Sequence, residues 1–429
     1  MTDHDDRPTG TDATGTDANH APGSRRPASP APPPRLIPAQ PEQSWLELFY
    51  DLAFVAAIVV MSTTYSTYAG LDGLVWLALV FSMIWCTWLA TTMLLGSGLV
   101  STLWTRTLLV CQMVLVLGVA ITSDYSSQDY STAVAPLFSV VLVTLALFFR
   151  AARRANDELH VAYRGYALRC LLAAAVFLIA PTFGWPLWYP LVWLFGIALV
   201  LAPTGRERRR LRMDSHHMVH RFGEFTIIML GEVFVKLGIT ASHEPLGEID
   251  VFALPLATAV VFGIWWLYFT DIPEMGLSDH HGRRLGWIYL HFPLHLGIIA
   301  VAVALAHTLL PDHVANDASA QATSHASSID SIQYIVIPIA VILLAIGLIG
   351  VYGGAPRTLA RRRLHAFLAA VAVLIVSEAA LLGTDSYDLE ASAVIVTVVL
   401  ALTAWRIRRI GTITAVPDTV PDGGSEARA

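Results

Sequence analysis

Charge is scarce in this 429-residue sequence: Asp, Glu, Lys and Arg together make up 14%, where a soluble domain carries about a quarter. Hydrophobic residues make up 55%, mean hydropathy is +0.58, and the apolar residues come in runs of about twenty rather than at amphipathic spacing. These features exclude a soluble enzyme, a nucleic-acid-binding protein and a disordered scaffold. Lysine occurs once, at Lys236. The three cysteines, Cys86, Cys111 and Cys170, all lie inside apolar runs without a CxxC pair, which argues against a disulfide framework and a structural zinc site. The net charge of −6 says little, because the charges are segregated along the chain. No polar stretch is long enough for a soluble catalytic domain, so any chemistry belongs inside the apolar part.

Residues 1–44 are rich in Pro, Ala, Thr, Asp and Gly, including Pro32-Pro33-Pro34. Such a segment buries too little apolar surface to offset its ordering entropy and reads as a disordered tail, as does 411–429. No apolar core of signal-peptide form precedes Trp45. Between the tails lie twelve apolar stretches, near 46–68, 74–96, 104–123, 132–150, 166–181, 185–202, 222–241, 251–270, 286–309, 331–353, 362–383 and 390–410. Most have the roughly 20 residues that cross a hydrocarbon core about 30 Å thick. The fifth and sixth are short and split by Pro181 and Trp185-Pro186, and a re-entrant pair would keep the count even. The expected fold is all-α: a polytopic transmembrane bundle of about 12 helices.

Cations fall in alternate connections: Arg25, Arg26 and Arg35; Arg106; Arg150 to Arg169; Arg206 to Arg221; Arg283 and Arg284; Arg357 and Arg361 to Arg363; and Arg406, Arg408 and Arg409. The intervening loops have neither Lys nor Arg and carry Asp124, Asp129, Glu244, Glu248, Asp312, Asp317, Asp385 and Asp388. The positive-inside rule then puts the protein in the cytoplasmic (inner) membrane with both termini cytoplasmic. Trp and Tyr gather at the proposed interfaces, among them Trp45, Tyr65, Trp104, Trp185 and Trp405, as aromatic belts do. The bilayer is the first expected partner. The Arg clusters at 206–212 and 361–363 can also hold anionic lipid headgroups. No nucleic-acid partner and no cofactor is expected, and oligomeric state is not legible.

The basic loop 203–221 divides the stretches into a first half, 45–202, and a second, 203–410, six apiece. Each half opens on an acidic-aromatic helix, and many transporters are built from such repeats, with the site at the repeat interface. The internal similarity is faint. The two opening helices carry ELFYDLAFVAAI at 47–58 and RFGEFTIIMLGE at 221–232. As an ordered pair these strings resemble the bacterial low-temperature-requirement A (LtrA) family of multi-pass membrane proteins, in which an ELFFDLVFVFAI-like segment opens the first helix and an RFGLFTIIVLGE-like segment lies mid-chain. The resemblance extends from 45 to about 410. Glu224 stands where that motif has an apolar residue, and Lys236 adds a cation one turn past its Glu. The resemblance implies a polytopic fold and draws attention to these residues. The family is named for a growth phenotype, so it implies no mechanism.

An ionisable group at bilayer depth costs about 2.5–3.5 kcal/mol on insertion scales and calls for a partner or a purpose. Glu224, Glu232 and Lys236 lie on one drifting face of the seventh stretch. At 1.5 Å per residue Glu232 lies about 16 Å beyond Arg221, near the midplane, with Lys236 about 6 Å further. Two readings are open: a titratable relay, or a Glu232–Lys236 ion pair that only locks packing. Glu378, about 22 Å past Arg363, is an alternative partner for Lys236. Glu47 and Asp51 stack one turn apart and repel; Arg221 is the candidate counter-charge. His291 and His295, also one turn apart around Pro293, suit hydrogen bonding within the bundle, a proton relay or part of a metal site, although zinc normally needs a third protein ligand and no metal is assigned. His216, His217, His280 and His281 flank basic turns with no assigned role.

The leading expectation is a transporter or channel-like permease for a proton, other small cation or small solute. Glu47, Asp51, Glu224, Glu232, Lys236 and Glu378 would mark its path, and His291 and His295 a possible relay. One alternative is a membrane-embedded enzyme acting on a lipid or isoprenoid through His291 and His295. The other is a sensor or assembly protein whose charges specify packing.

Overall fold

The computed structural model describes residues 45–67, 71–95, 102–123, 130–155, 160–182, 188–201, 215–243, 252–270, 272, 276–278, 280–307, 328–382 and 389–414. These form twelve α-helices: α1 (Trp45–Thr67), α2 (Leu71–Leu95), α3 (Leu103–Thr122), α4 (Tyr130–Ala155), α5 (His160–Ile179), α6 (Trp188–Leu201), α7 (Ser215–His243), α8 (Ala253–Phe269), α9 (His281–His307), α10 (Ser328–Tyr352), α11 (Arg357–Leu382) and α12 (Leu389–Thr414). A 3-10 turn, Ala180–Thr182, follows α5. Among the described residues there is no strand, only an isolated bridge between Leu277 and Gly353. The polytopic all-α bundle expected from the sequence is the fold observed. In hydrocarbon the α-helix satisfies each backbone N–H and C=O within its own segment.

Ten helices are long and apolar enough to cross a membrane. The other two, α6 with 14 residues and α8 with 17, span only about 21 and 26 Å. Several boundaries differ from the sequence reading because arginines enter the helices. The fifth helix begins at His160 rather than 166, so Arg164 joins Arg169 within it. Arg169 lays its guanidinium 4.2 Å from the Tyr166 ring centroid, which lets a cation sit along an otherwise apolar segment. The seventh begins at Ser215 rather than 222, and Arg221 is thereby drawn inside. The last helix continues to Thr414, into the stretch expected to be a tail. The tail at 1–44 and the Trp185-Pro186 break lie outside the described residues.

The packing pattern repeats. In the first six helices α1 packs on α2 and α3, α2 on α4 and α6, α3 on α4, α4 on α5, and α5 on α6. Adding six to every label gives pairs that also pack in the second six, with α10–α12 in addition. Contacts between the sets are made by α1 with α7 and α9, and by α2 with α9. The best-buried spans are α2 and α9, whereas α5 and α11 are the least buried and turn residues such as Leu178 and Val376 outward.

Close approach of α9 to α10 depends on Gly297. A Cβ there would lie 2.7 Å from Ile342 Cγ1 and 3.2 Å from the Pro338 carbonyl oxygen, and small residues at such crossings let helix backbones approach. Gly297→Val should lower stability by about 1–3 kcal/mol through overpacking, read as a lower thermal midpoint in detergent. Gly231→Ala is the control, because a Cβ there meets nothing within 4 Å; equal midpoints for the two variants would contradict the packing account.

Candidate functional site

The polar residues converge where α1, α2, α7 and α9 meet. Three contacts fix how α1 and α7 lie together: Glu47 to His217, Asp51 to Arg221, and Ser62 to Glu232. Residue numbers rise together along both helices, so they run parallel in one register. Asp51 and Ser62 are eleven residues apart, as are Arg221 and Glu232. Eleven residues is about three turns, so each pair shares a helix face, and the two polar levels stand about 16 Å apart.

The first level is centred on Arg221. Its NH2 group donates to Asp51 Oδ1 at 2.7 Å, and both side chains are fully buried. Glu47 Oε2 lies 3.7 Å from Arg221 Nε, and Glu224 Oε2 lies 3.5 Å from NH1. One guanidinium therefore faces three carboxylates, a task that suits Arg's planar fork of donors better than Lys. His217 stands 3.3 Å from Glu47, and His220, one turn before Glu224, stands 3.1 Å from it. Exposure falls along this set from His220 at 53%, through Glu224 at 21% and Glu47 and His217 at 14%, to zero at Asp51 and Arg221. The charged groups thus form an acidic funnel in the sense of falling exposure, from the end of the bundle where α1 begins down to Asp51 and Arg221. Asp51 Oδ1 also accepts the Trp88 indole N–H at 2.8 Å, while Oδ2 has no hydrogen-bond partner among the described residues.

The second level is Glu232 and Ser62, both buried. The Ser62 oxygen is 2.7 Å from Glu232 Oε1 and 3.0 Å from the Val59 carbonyl of its own helix. A hydroxyl has one proton to donate, and here it faces two acceptors. A proton on Glu232 satisfies both contacts together: Glu232 donates to Ser62, and Ser62 to Val59. Glu232 Oε2 has no hydrogen-bond partner among the described residues. Lys236 follows one turn later on α7 and is 4% exposed.

His291 and His295 sit beside α7, fully buried. The Trp85 indole N–H donates to His295 Nδ1 at 3.2 Å, which makes Nε2–H the donor to Thr226 Oγ1 at 3.0 Å. A carbonyl only accepts, so His291 Nδ1–H donates to Trp287 O at 2.8 Å and Nε2 accepts from the Tyr268 hydroxyl at 2.9 Å. Every ring nitrogen is engaged by a side chain or a backbone carbonyl of the bundle. Among the described residues no group of three or more His, Cys, Asp or Glu side chains is placed to hold a metal. His295→Leu should cost about 1–3 kcal/mol by leaving the buried Trp85 N–H without an acceptor, whereas Thr226 keeps its bond to Phe222 O. An unchanged thermal midpoint would contradict this.

Glu378 lies elsewhere. It accepts from Ser392 at 2.9 Å between α11 and α12, and α11 packs on α10 and α12 while α7 packs on α1, α8 and α9. Ser62, Trp88 and His220 escaped the sequence reading, and His217, set aside there as flanking a basic turn, stands in the site beside Glu47. The two histidines left a signal, since each stands one turn before its charged neighbour Arg221 or Glu224. Ser62 and Trp88 left none, being defined only by contacts between helices. Each half also buries a polar node against its first two helices: Gln112 on α3, bonded by Tyr50 and Thr91, and His291 on α9, packed against the Phe222 ring at a tilt and bonded by Tyr268.

Residues 42–403 match the family model described as bacterial low temperature requirement A protein (LtrA). The uncharacterized protein RA0937 of Rhizobium meliloti (strain 1021) is 26% identical over 295 residues, covering 62% of this chain and 71% of its own. No solved structure matches.

Proposed function

Because this chain belongs to the bacterial low temperature requirement A family and is a multi-pass membrane protein, we propose that the ionisable residues gathered inside its bundle are a working path: the protein is a permease of the cytoplasmic membrane that moves protons along the α1–α7 seam. The observation that carries this reading is the Glu232–Ser62 pair. A carboxyl group held at mid-helix, with one hydroxyl shared between two acceptors, is built to gain and lose a proton. It stands in line with an acidic funnel that opens at one end of the bundle.

Proton rather than metal-ion passage follows from the donors. Hard metal cations take about six or more oxygens, whereas among the described residues Glu232 is hydrogen-bonded by a single hydroxyl, with the Lys236 side chain buried one turn away. The histidine pair supports positioning rather than relay, because its nitrogens are all engaged. The repeated packing pattern and the paired polar nodes support reading 45–202 and 203–410 as two copies of one six-helix unit, with the path at their seam, as in transporters built from parallel repeats. Arg361, Arg362, Arg406, Arg408 and Arg409, exposed where α11 begins and α12 ends, suit anionic headgroups on the cytoplasmic face.

The test is flux into liposomes holding an internal pH dye, under imposed proton, sodium and potassium gradients in turn. A protein-dependent proton flux, lost in Glu232→Gln, is the expected result. No flux under any gradient would overturn the permease reading and leave the buried charges as packing determinants.

A further inference from the structure

The two polar levels of the seam are separated by an apolar layer. On the α1 face between Asp51 and Ser62 lie Val55 and Ile58, and on the α7 face between Arg221 and Glu232 lie Phe225 and Ile228; Val55, Ile58 and Phe225 are buried. A proton does not cross about 16 Å of hydrocarbon side chains without water or titratable groups to carry it, so a path through this seam has to be opened. One side chain closes the layer on the funnel side. Trp88, from α2, stacks on Phe225 with ring centroids 4.2 Å apart and planes 24° from parallel, and meets Phe222 edge-on at 5.1 Å. The same indole donates its N–H to Asp51. A rigid ring with two side-chain torsions thus ties the deepest carboxylate of the funnel to the aromatic stack that seals it.

We propose that the Trp88–Phe225 stack is a gate in this path, tethered shut by Asp51; the inference rests on the permease reading and names its moving part. Trp88 acts as a positioning residue. When Asp51 turns away from the indole N–H, the tether is lost, the ring is free to leave Phe225, and water reaches the layer that holds Ile58. Trp88 also meets His295 edge-on at 6.5 Å, while His295 itself is held by Trp85 and Thr226.

The experiment measures water access directly, in the full chain with its three native cysteines replaced by Ala and Ile58→Cys introduced, using a membrane-impermeant maleimide applied in turn to each face of the membrane. The thiol should be protected in this parent. Adding Trp88→Ala should speed labelling at least tenfold, and only from the face where α1 begins; Trp88→Phe, which keeps a ring but loses the tether, should fall between. A general loosening of the fold would admit reagent from both faces and would overturn the gate, as would a rate for Trp88→Ala equal to the parent's. A Trp88→Phe rate equal to the parent's would overturn the tether. Should Trp88→Ala fail to fold, Phe225→Ala decides the same question from the other side of the stack. Labelling needs no transport: absent flux in the wild type sinks the permease reading whatever the labelling, and unchanged labelling sinks the gate whatever the flux.

Discussion

Arg221→Met should destabilise the bundle by about 3–5 kcal/mol, the cost of breaking a buried ion pair from one side. The guanidinium is fully buried and makes a 2.7 Å contact with an equally buried Asp51. Met fills much of the volume but leaves that carboxylate without a cation. Glu47 and Glu224, partly exposed, can turn to water; Asp51 cannot. Adding Asp51→Asn to Arg221→Met should therefore recover most of the loss, because an amide keeps the Trp88 contact and carries no charge. Arg221→Lys should recover less than the double variant, since an ammonium cannot face three carboxylates in the geometry of the fork. Thermal midpoints in detergent, assembled as a double-mutant cycle, read all three. Additive losses for the two substitutions would show that the pair does not act as a unit.

Glu232→Gln should abolish proton flux, at least tenfold and to the liposome background, while leaving the thermal midpoint unchanged or higher. The amide N–H donates to Ser62 as the protonated carboxyl does, and a neutral group is cheaper to bury than a carboxylate, so the fold has no reason to suffer. What is lost is the exchangeable proton. Together with the Arg221 series this separates two roles within one seam: the charges near the start of α1 hold the helices in register, and the deeper carboxyl carries the proton. Flux equal to wild type in Glu232→Gln would remove that carboxyl from the path.

The bundle was readable because hydrocarbon imposes length and composition on each segment independently. Twelve helices and their order follow from runs of apolar residues, whatever those runs pack against. Helix ends were less legible wherever arginine sat near one. Arg221 stands at the end of a basic loop in the sequence yet is already the candidate counter-charge to Glu47 and Asp51, and the fold adds Glu224 as its third acid; Arg164 reads as loop until α5 is seen to run through it. The pairing of Glu47 with Asp51, and the stacking of Glu224, Glu232 and Lys236 along one face, follow from helical periodicity within a single segment.

What the amino-acid sequence by itself determined is therefore local in origin: a polytopic helical bundle, its family motifs, and which ionisable residues lie inside apolar segments. Only the tertiary structure decided which of those residues meet. Ser62 faces Glu232 and Asp51 faces Arg221 because α1 and α7 pack in parallel at one register; Trp88 joins them because α2 crosses at their depth; Glu378 goes to Ser392 because α11 packs on α12. Contacts of this kind join residues up to 210 positions apart and depend on helix–helix register, which is set by side-chain packing across the bundle and leaves no periodic mark in the segments that take part.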